Sequence, residues 1–292
     1  VEKVLKPLGA DTSGSQFLEP DGTFPNHIPN PENKQAMEAI KQAVLANNAD
    51  LGIIFDTDVD RMSAVLPDGS EVNRDAIIAM MAAILAKDYP GSTIVTDSVT
   101  SDRLTDFLEN ELKLVHHRFK RGYKNVINES IRLNESGVVS PLAIETSGHG
   151  ALSENYFLDD GAYLAVKILI ATALAAKEGK KISSYIEKLA KGFDEREFRM
   201  KIFTEDFAAY GQEVLKAFEA RAKEAGIDVA PNSYEGVRLS FHSEDVQGWL
   251  LLRMSLHDPL MPMNMEGVRE GDCEKMLEIV KELLTGFDKL DI

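Results

Sequence analysis

Apolar positions along the 292-residue chain recur at two spacings, and the spacing changes along its length. A helical period predicts helices over residues 32–47, 75–87, 101–110, 124–133 and 162–177. Between them lie short apolar runs that read as strands, at 51–55 (LGIIF), 93–96, 112–116 and 142–144. The first of these is continuous rather than alternating, as in a buried strand of the parallel kind. Residues 65–66 continue extended, and Pro67-Asp68-Gly69 is a turn. Strand alternating with helix predicts an α/β layer with a mainly parallel sheet. Residues 1–8 look like the tail of a helix stopped by Gly9, and 19–31 (EPDGTFPNHIPNP) like an irregular loop. The rear of the chain differs. Strands are predicted at 198–202, 237–241, 249–254 and 261–265, and helices at 206–225 and 273–284. Clustered strands flanked by helices predict a small α+β domain. Trp249 and the methionines at 254, 261, 263 and 265 follow a period of two and read as core.

Charge narrows the function classes. With 32 basic and 48 acidic residues the net charge is −16, which repels nucleic-acid backbones, so no nucleic acid is expected as a partner. An anionic ligand must be small and held by a local basic pocket. A single cysteine, Cys273, excludes an internal disulfide and a thiolate metal cluster. A reducing, cytoplasmic setting is the matching expectation. The most apolar stretch, 162–176, is interrupted by Lys167 and is too short to span a bilayer, so no membrane partner is expected. The chain opens on Val1 within a helix-like stretch and shows no signal-peptide pattern, so it is expected to be a piece of a longer protein.

Three loops carry chemistry. Asp56-Thr57-Asp58-Val59-Asp60-Arg61 leaves the 51–55 strand with carboxylates at alternate positions. Such a loop can curl oxygen ligands around one hard cation. An EF-hand loop would need Gly where Arg61 stands and Glu where Pro67 stands. An acidic surface turn and a haloacid-dehalogenase-like phosphatase with Asp56 as nucleophile both stay open on these residues alone. Glu145-Thr146-Ser147-Gly148-His149 places a carboxylate, a hydroxyl and an imidazole on a turn, a set that can bond vicinal sugar hydroxyls. Arg253-x-Ser255 at a strand end can grip phosphate. The densest basic run, 116–124 (HHRFKRGYK), lies between a strand and a helix. It suits either a solvated charge run or an anion contact.

In their order along the chain, acidic loop, basic run, Glu-x-Ser-Gly-His turn and Arg-x-Ser strand end, the motifs resemble the α-D-phosphohexomutase family, which includes phosphoglucomutase and phosphomannomutase. The resemblance implies that Asp56, Asp58 and Asp60 bind Mg²⁺ and that Arg61 contacts phosphate beside the catalytic serine. It implies that Glu145 and Ser147 hold sugar hydroxyls, with His149 in the same loop. Gly122 and Lys124 match the family's Gly-x-Lys loop, Lys124 being the ligand contact. Residues His117, Arg118, Lys120 and Arg121 lie outside that match. Arg253, Ser255, His257 and Pro259 match a distal phosphate loop, with His257 where Thr is commoner. Asp159-Asp160-Gly161 fits the phosphomannomutase/phosphoglucomutase branch.

The implied fold is α/β, with mixed or parallel-sheet three-layer domains. A small α+β C-terminal domain of the TATA-box-binding-protein-like kind follows. The expected boundaries are 1–68 (the end of domain II), 69–192 (domain III) and 193–292 (domain IV). The implied reaction interconverts hexose 1- and 6-phosphates of glucose or mannose through a phosphoserine, with a hexose 1,6-bisphosphate as intermediate. The family's Thr-x-Ser-His-Asn-Pro-like serine loop does not occur in these residues. The chain is therefore expected to be the rear portion of such an enzyme, inactive alone, with no catalytic nucleophile of its own. A non-catalytic sugar-phosphate-binding module is the remaining alternative.

Overall fold

The computed structural model describes residues 1–255 and 258–292. The chain divides into two compact units. The first comprises Val1–Thr100, Leu104–His117 and Gly122–Leu189, and the second comprises Ser101–Arg103, Arg118–Arg121 and Ala190–Ile292.

The first unit holds two sheets. Helix α1 (Lys34–Asn47) begins at Asn33, whose side chain accepts from the Gln35 and Ala36 amides, and ends at Asn48 in the left-handed conformation. Strands β1 (Gly52–Phe55), β2 (Met62–Val65) and β3 (Glu71–Val72) follow in an antiparallel three-stranded sheet. The parallel reading of residues 51–55 is thereby corrected. The run is apolar throughout because both its faces are covered, whatever the direction of its neighbour. Ile54 packs with Met37 and Val44 of α1, while Ile53 and Phe55 pack against the unit's larger core.

That larger core lies around α2 (Asp75–Leu85), which is apolar on nearly every side. The second sheet contains β4 (Thr93–Thr96), β5 (Val115–Arg118), β6 (Leu142–Ile144) and β7 (Gly150–Leu152), in the order β5-β4-β6-β7. Strands β4 and β6 run parallel, and β7 returns antiparallel to β6. Helices α3 (Asp102–Asp106), α4 (Tyr123–Glu135) and α5 (Gly161–Lys177) complete the alternation. After α3 the chain widens into a π-helical turn over Phe107–Glu111. Residues 1–9 form successive turns rather than the expected helix. Leu5 donates to Val1 (3.0 Å) and Leu8 to Val4 (3.2 Å), but Pro7 has no N–H with which to continue the ladder.

The second unit is a five-stranded antiparallel sheet in the order β8-β12-β11-β10-β9. Its strands are β8 (Asp194–Lys201), β9 (Asp228–Val229), β10 (Val237–His242), β11 (Gln247–Leu252) and β12 (Leu260–Gly267). Helices α6 (Phe207–Glu224) and α7 (Asp272–Leu283) cover one face. Met261, Met263 and Met265 point into this core, around the fully buried Phe218. Gly211 of α6 is small because Met254 fills the space that its side chain would need. On the opposite face, Arg238 lies 3.9 Å over the Trp249 ring, and both side chains are buried. None of the helices is long and apolar enough to cross a membrane among the described residues.

Asp272 opens α7 and is almost fully buried. It accepts from the backbone N–H of Arg269 (2.9 Å) and from its guanidinium (3.2 Å). Burial opposes the charge, but the Arg269 bonds hold the Asp272 pKa below the ordinary value. A depressed carboxylate pKa gives stability that is full above the unfolded-state pKa. That stability is lost as pH falls through the folded-state pKa. Asp272→Asn is thus expected to lower unfolding free energy by about 2 kcal/mol at neutral pH. The gap from the unsubstituted chain should close in acid below pH 4, as read by urea titrations along a pH series.

Candidate functional site

In the first unit the acidic loop is the connection between β1 and β2. Its shape is set by one ion pair. Asp56, buried at the end of β1, accepts from the Arg61 backbone N–H (3.2 Å) through one oxygen and from Arg61 Nε (2.8 Å) through the other. Burial disfavours the Asp56 charge, yet the Arg61 N–H and guanidinium together hold its pKa below the usual range. With the ends closed in this way, Asp56, Asp58 and Asp60 bring one oxygen each within 4.8 Å of one another. Val59 between them has φ +67°, a left-handed conformation costly for a β-branched residue. Asp60 keeps one oxygen buried with no hydrogen-bond partner. Burial raises its pKa, and Asp56 and Asp159 add to this, while His149 pulls the other way.

The Glu145–His149 loop packs directly on the acidic loop. Glu145 N–H donates to His149 O (2.9 Å) and Gly148 N–H to Glu145 O (3.1 Å), which closes a tight turn. Met62 N–H donates to Gly148 O (3.2 Å), and Arg61 forms an isolated bridge with His149. Gly148 has φ +96°, and a side chain there would run into the Met62 carbonyl. From the other side, the Gly161 N–H donates to Val59 O (3.1 Å), and a Cβ on Gly161 would lie 2.8 Å from that oxygen. Thr146 is anchored on the buried Asp97 by its hydroxyl (2.8 Å) and its amide (3.2 Å).

The polar groups of this second loop are held in defined roles. Glu145, buried, accepts from the Gly122 N–H at 2.6 Å, and Ser147 Oγ lies 3.5 Å from its other oxygen. His149 Nδ1 bonds Asp159 (2.7 Å), whose second oxygen accepts from Gly150 N–H (3.1 Å). Tyr123 stacks on the His149 ring with 4.9 Å between centroids. Burial works against the imidazolium, but Asp159, Asp60 and Glu145 raise the His149 pKa. Lys124 Nζ lies 5.8 Å from the Tyr123 ring centroid on the exposed start of α4.

The structure therefore groups Asp56, Asp58, Asp60, Arg61, Gly122, Glu145, Ser147 and His149 within the first unit. Sequence reasoning did not assign Asp159 or Tyr123 to the site. Asp159-Asp160-Gly161 was visible as a motif, but its bond to His149 depends on β7 returning the chain across ten residues. Two basic-run histidines have structural partners: His116 bridges Thr96 and Thr105 (both 2.8 Å), and His117 bonds Glu129 (2.9 Å). Arg253 and Ser255 belong to the second unit, just past the end of β11. Ser255 N–H donates to Leu260 O (2.9 Å), and its hydroxyl accepts from the Asp258 N–H (3.2 Å). His257 lies outside the described residues.

Known proteins resemble the chain along almost its whole length. It is similar to the phosphomannomutase/phosphoglucomutase of Pseudomonas syringae pv. tomato, 28% identical over 276 residues, covering 94% of this chain and 55% of that protein. Its fold is similar to a phosphoglucomutase/phosphomannomutase family protein from Burkholderia thailandensis, with a TM-score of 0.73 and 24% identity over 91% of this chain and 54% of that one. It is also similar in fold to Aspergillus fumigatus N-acetylphosphoglucosamine mutase, solved in complex with GlcNAc-6P and magnesium. That TM-score is 0.50, with 14% identity over 79% of this chain and 51% of that one. The chain spans about half the length of the curated relatives it matches. Two family models, the phosphoglucomutase/phosphomannomutase alpha/beta/alpha domains II and III, match residues 1–69 and 73–193. With those two consecutive domains in this order, the chain belongs to the phosphoglucomutase/phosphomannomutase family.

Proposed function

We propose that this chain forms the metal-, sugar- and distal-phosphate-binding part of a hexose-phosphate mutase acting on glucose or mannose 1- and 6-phosphates. The observation that carries this reading is the docking of the Asp56–Arg61 loop on the Glu145–His149 loop. A hard-cation site and a set of sugar-hydroxyl partners thereby share one rigid frame. Family membership displaces the haloacid-dehalogenase reading.

The residues fit a magnesium ion. Asp56, Asp58 and Asp60 supply only oxygen donors, and the orphaned buried oxygen of Asp60 has its natural partner in a cation. When bound, Mg²⁺ would stabilise charge on a transferring phosphoryl group. The chain's own groups do the rest. Glu145 and Ser147 accept and donate to sugar hydroxyls common to both orientations of a hexose 1,6-bisphosphate intermediate. His149, held by Asp159, presents its other ring nitrogen with a fixed tautomer. Lys124, in the first unit, and Arg253, in the second, are each a candidate cation for a ligand phosphate. The domain limits 1–68, 69–192 and 193–292 and a cytoplasmic setting belong to the same proposal.

Calorimetry of the purified chain with glucose 1-phosphate and mannose 1-phosphate in Mg²⁺ tests it. At least one should bind, and Glu145→Gln should weaken that binding about tenfold. A coupled assay for hexose 6-phosphate should show no turnover, because the sequence carries no serine loop of the family's form. Failure of both sugars to bind would overturn the reading, and sustained turnover would overturn the need for that loop.

A further inference from the structure

The basic run at 116–124 divides. Its first two histidines serve the first unit, whereas Arg118–Arg121 belongs to the second. Two residues of that segment, Arg118 and Phe119, are held by side chains and backbone of the second unit. At one end Arg118 donates to Ser101 O (2.7 Å) and to Asp102 (3.0 Å). Asp102 also accepts from Arg238 (2.8 Å), the guanidinium stacked on Trp249. Next along, the Phe119 ring packs on Tyr234 at 4.6 Å. Tyr234 precedes Glu235 and Gly236, and Gly236 presses against Arg253, where an added Cβ would lie 2.7 Å from the Arg253 Cα. The segment is thus tethered to the loop that borders Arg253.

The sheet register adds the remaining groups. Pro262 faces Arg199 and Asn264 faces Glu197 across β12 and β8, and Arg253 donates its N–H to Pro262 O (3.0 Å). Arg253 and Arg199 therefore flank the same residue of β12. Arg121 lies within electrostatic range of both Arg253 and Glu197. Three guanidiniums, on Arg121, Arg199 and Arg253, are set against the carboxylates of Glu197 and Glu235. Arg253 Nε is buried with no hydrogen-bond partner, and so is the side-chain oxygen of Asn264, two residues along β12 from the Pro262 that Arg253 bonds. Burial and the repulsion from Arg121 and Arg199, opposed by Glu235 and Glu197, lower the Arg253 pKa. Arg199 is bonded to Glu197 (2.7 Å), but the buried Arg253 Nε–H has no partner, and a guanidinium N–H so placed, with further guanidiniums nearby, suits a phosphoryl dianion.

We propose that Arg121 is a second phosphate-binding guanidinium of the Arg253 site, carried by the pinned Arg118–Arg121 segment. This rests on the mutase reading for the role of Arg253, and the experiment separates the two. Glucose 1-phosphate and inorganic phosphate are titrated calorimetrically into the chain and into Arg121→Gln, Arg121→Lys, Lys120→Gln and Arg253→Ala. Arg121→Gln is expected to weaken glucose 1-phosphate about tenfold, with partial recovery in Arg121→Lys. Lys120→Gln removes the same charge one residue away and should leave affinity within about twofold. Inorganic phosphate weakened in parallel assigns the contact to the phosphoryl group. Inorganic phosphate unmoved while the sugar phosphate weakens overturns that assignment. Loss of binding in Arg253→Ala with none in Arg121→Gln overturns the proposal and leaves the mutase reading standing. No binding by the unsubstituted chain overturns both. Unchanged melting temperature in Arg121→Gln excludes misfolding as the cause, and an equal loss in Lys120→Gln would reduce the effect to bulk charge and sink the proposal.

Discussion

Asp60→Asn is expected to cut Mg²⁺ affinity about 100-fold, near 2.7 kcal/mol, while leaving the metal-free chain at least as stable as before. Both effects come from one geometry. Asp56, Asp58 and Asp60 present oxygens within 4.8 Å of one another. At the dielectric that suits groups near a protein surface, each such pair repels by about 3 kcal/mol before salt screening. The Arg61 guanidinium relieves Asp56, which it bonds at 2.8 Å, but stands 3.9 Å from Asp60. Asp60 is accordingly the carboxylate whose pKa is raised, through burial and its acidic neighbours. Neutralising it removes repulsion in the absence of metal and removes a ligand in its presence. Thermal melts across a Mg²⁺ titration read both quantities. A Mg²⁺-induced rise in Tm that survives the substitution intact would show that Asp60 is no ligand.

Gly148→Ala should destabilise the first unit by about 3 kcal/mol or more, because two costs add. At φ +96° an L-residue is strained, and the new Cβ meets the Met62 carbonyl, which cannot move without breaking its strand. Gly179→Ala provides the comparison. Gly179 also has a positive φ, +70°, but nothing lies within 4 Å of an added Cβ. Its cost is expected to be about 1 kcal/mol, the backbone part alone. In a unit of this size the difference of about 2 kcal/mol should appear as roughly 4–8 °C in Tm. Equal losses in the two variants would mean that the contact with Met62 yields easily and that the two loops are not rigidly docked.

The residues of the site were more legible in the sequence than the way in which they are held. Alternating carboxylates, the Glu-x-Ser-Gly-His turn and Arg-x-Ser are local patterns, readable because each sits within six residues. The direction of β1 was not readable. A strand buried on both faces loses the alternation that separates antiparallel from parallel neighbours. Strands β7 and β3 were missed, being three and two residues long. Tyr123 and Asp159 reach His149 only through tertiary folding, so no spacing announces them. The basic run was visible as a charge pattern, but its division between two units was not, since a change of unit within nine residues leaves no compositional mark. Strand β12 was placed well because Met261, Met263 and Met265 keep a clean period of two on the helix-covered face, whereas β8 begins four residues before the expected 198 and the two-residue β9 was missed.

The position of Trp249 has a spectroscopic consequence. It is the chain's one tryptophan, 5% exposed in the second unit beneath the Arg238 guanidinium. Its intrinsic fluorescence therefore reports on that unit, and the indole should shift to the red and change in intensity when Arg238 leaves its face. The first unit, with tyrosine as its strongest fluorophore, is nearly dark at the same excitation. Through one denaturant titration, emission would follow the second unit and far-ultraviolet dichroism the helices and strands of both, and a gap between their midpoints would show that the two units unfold separately.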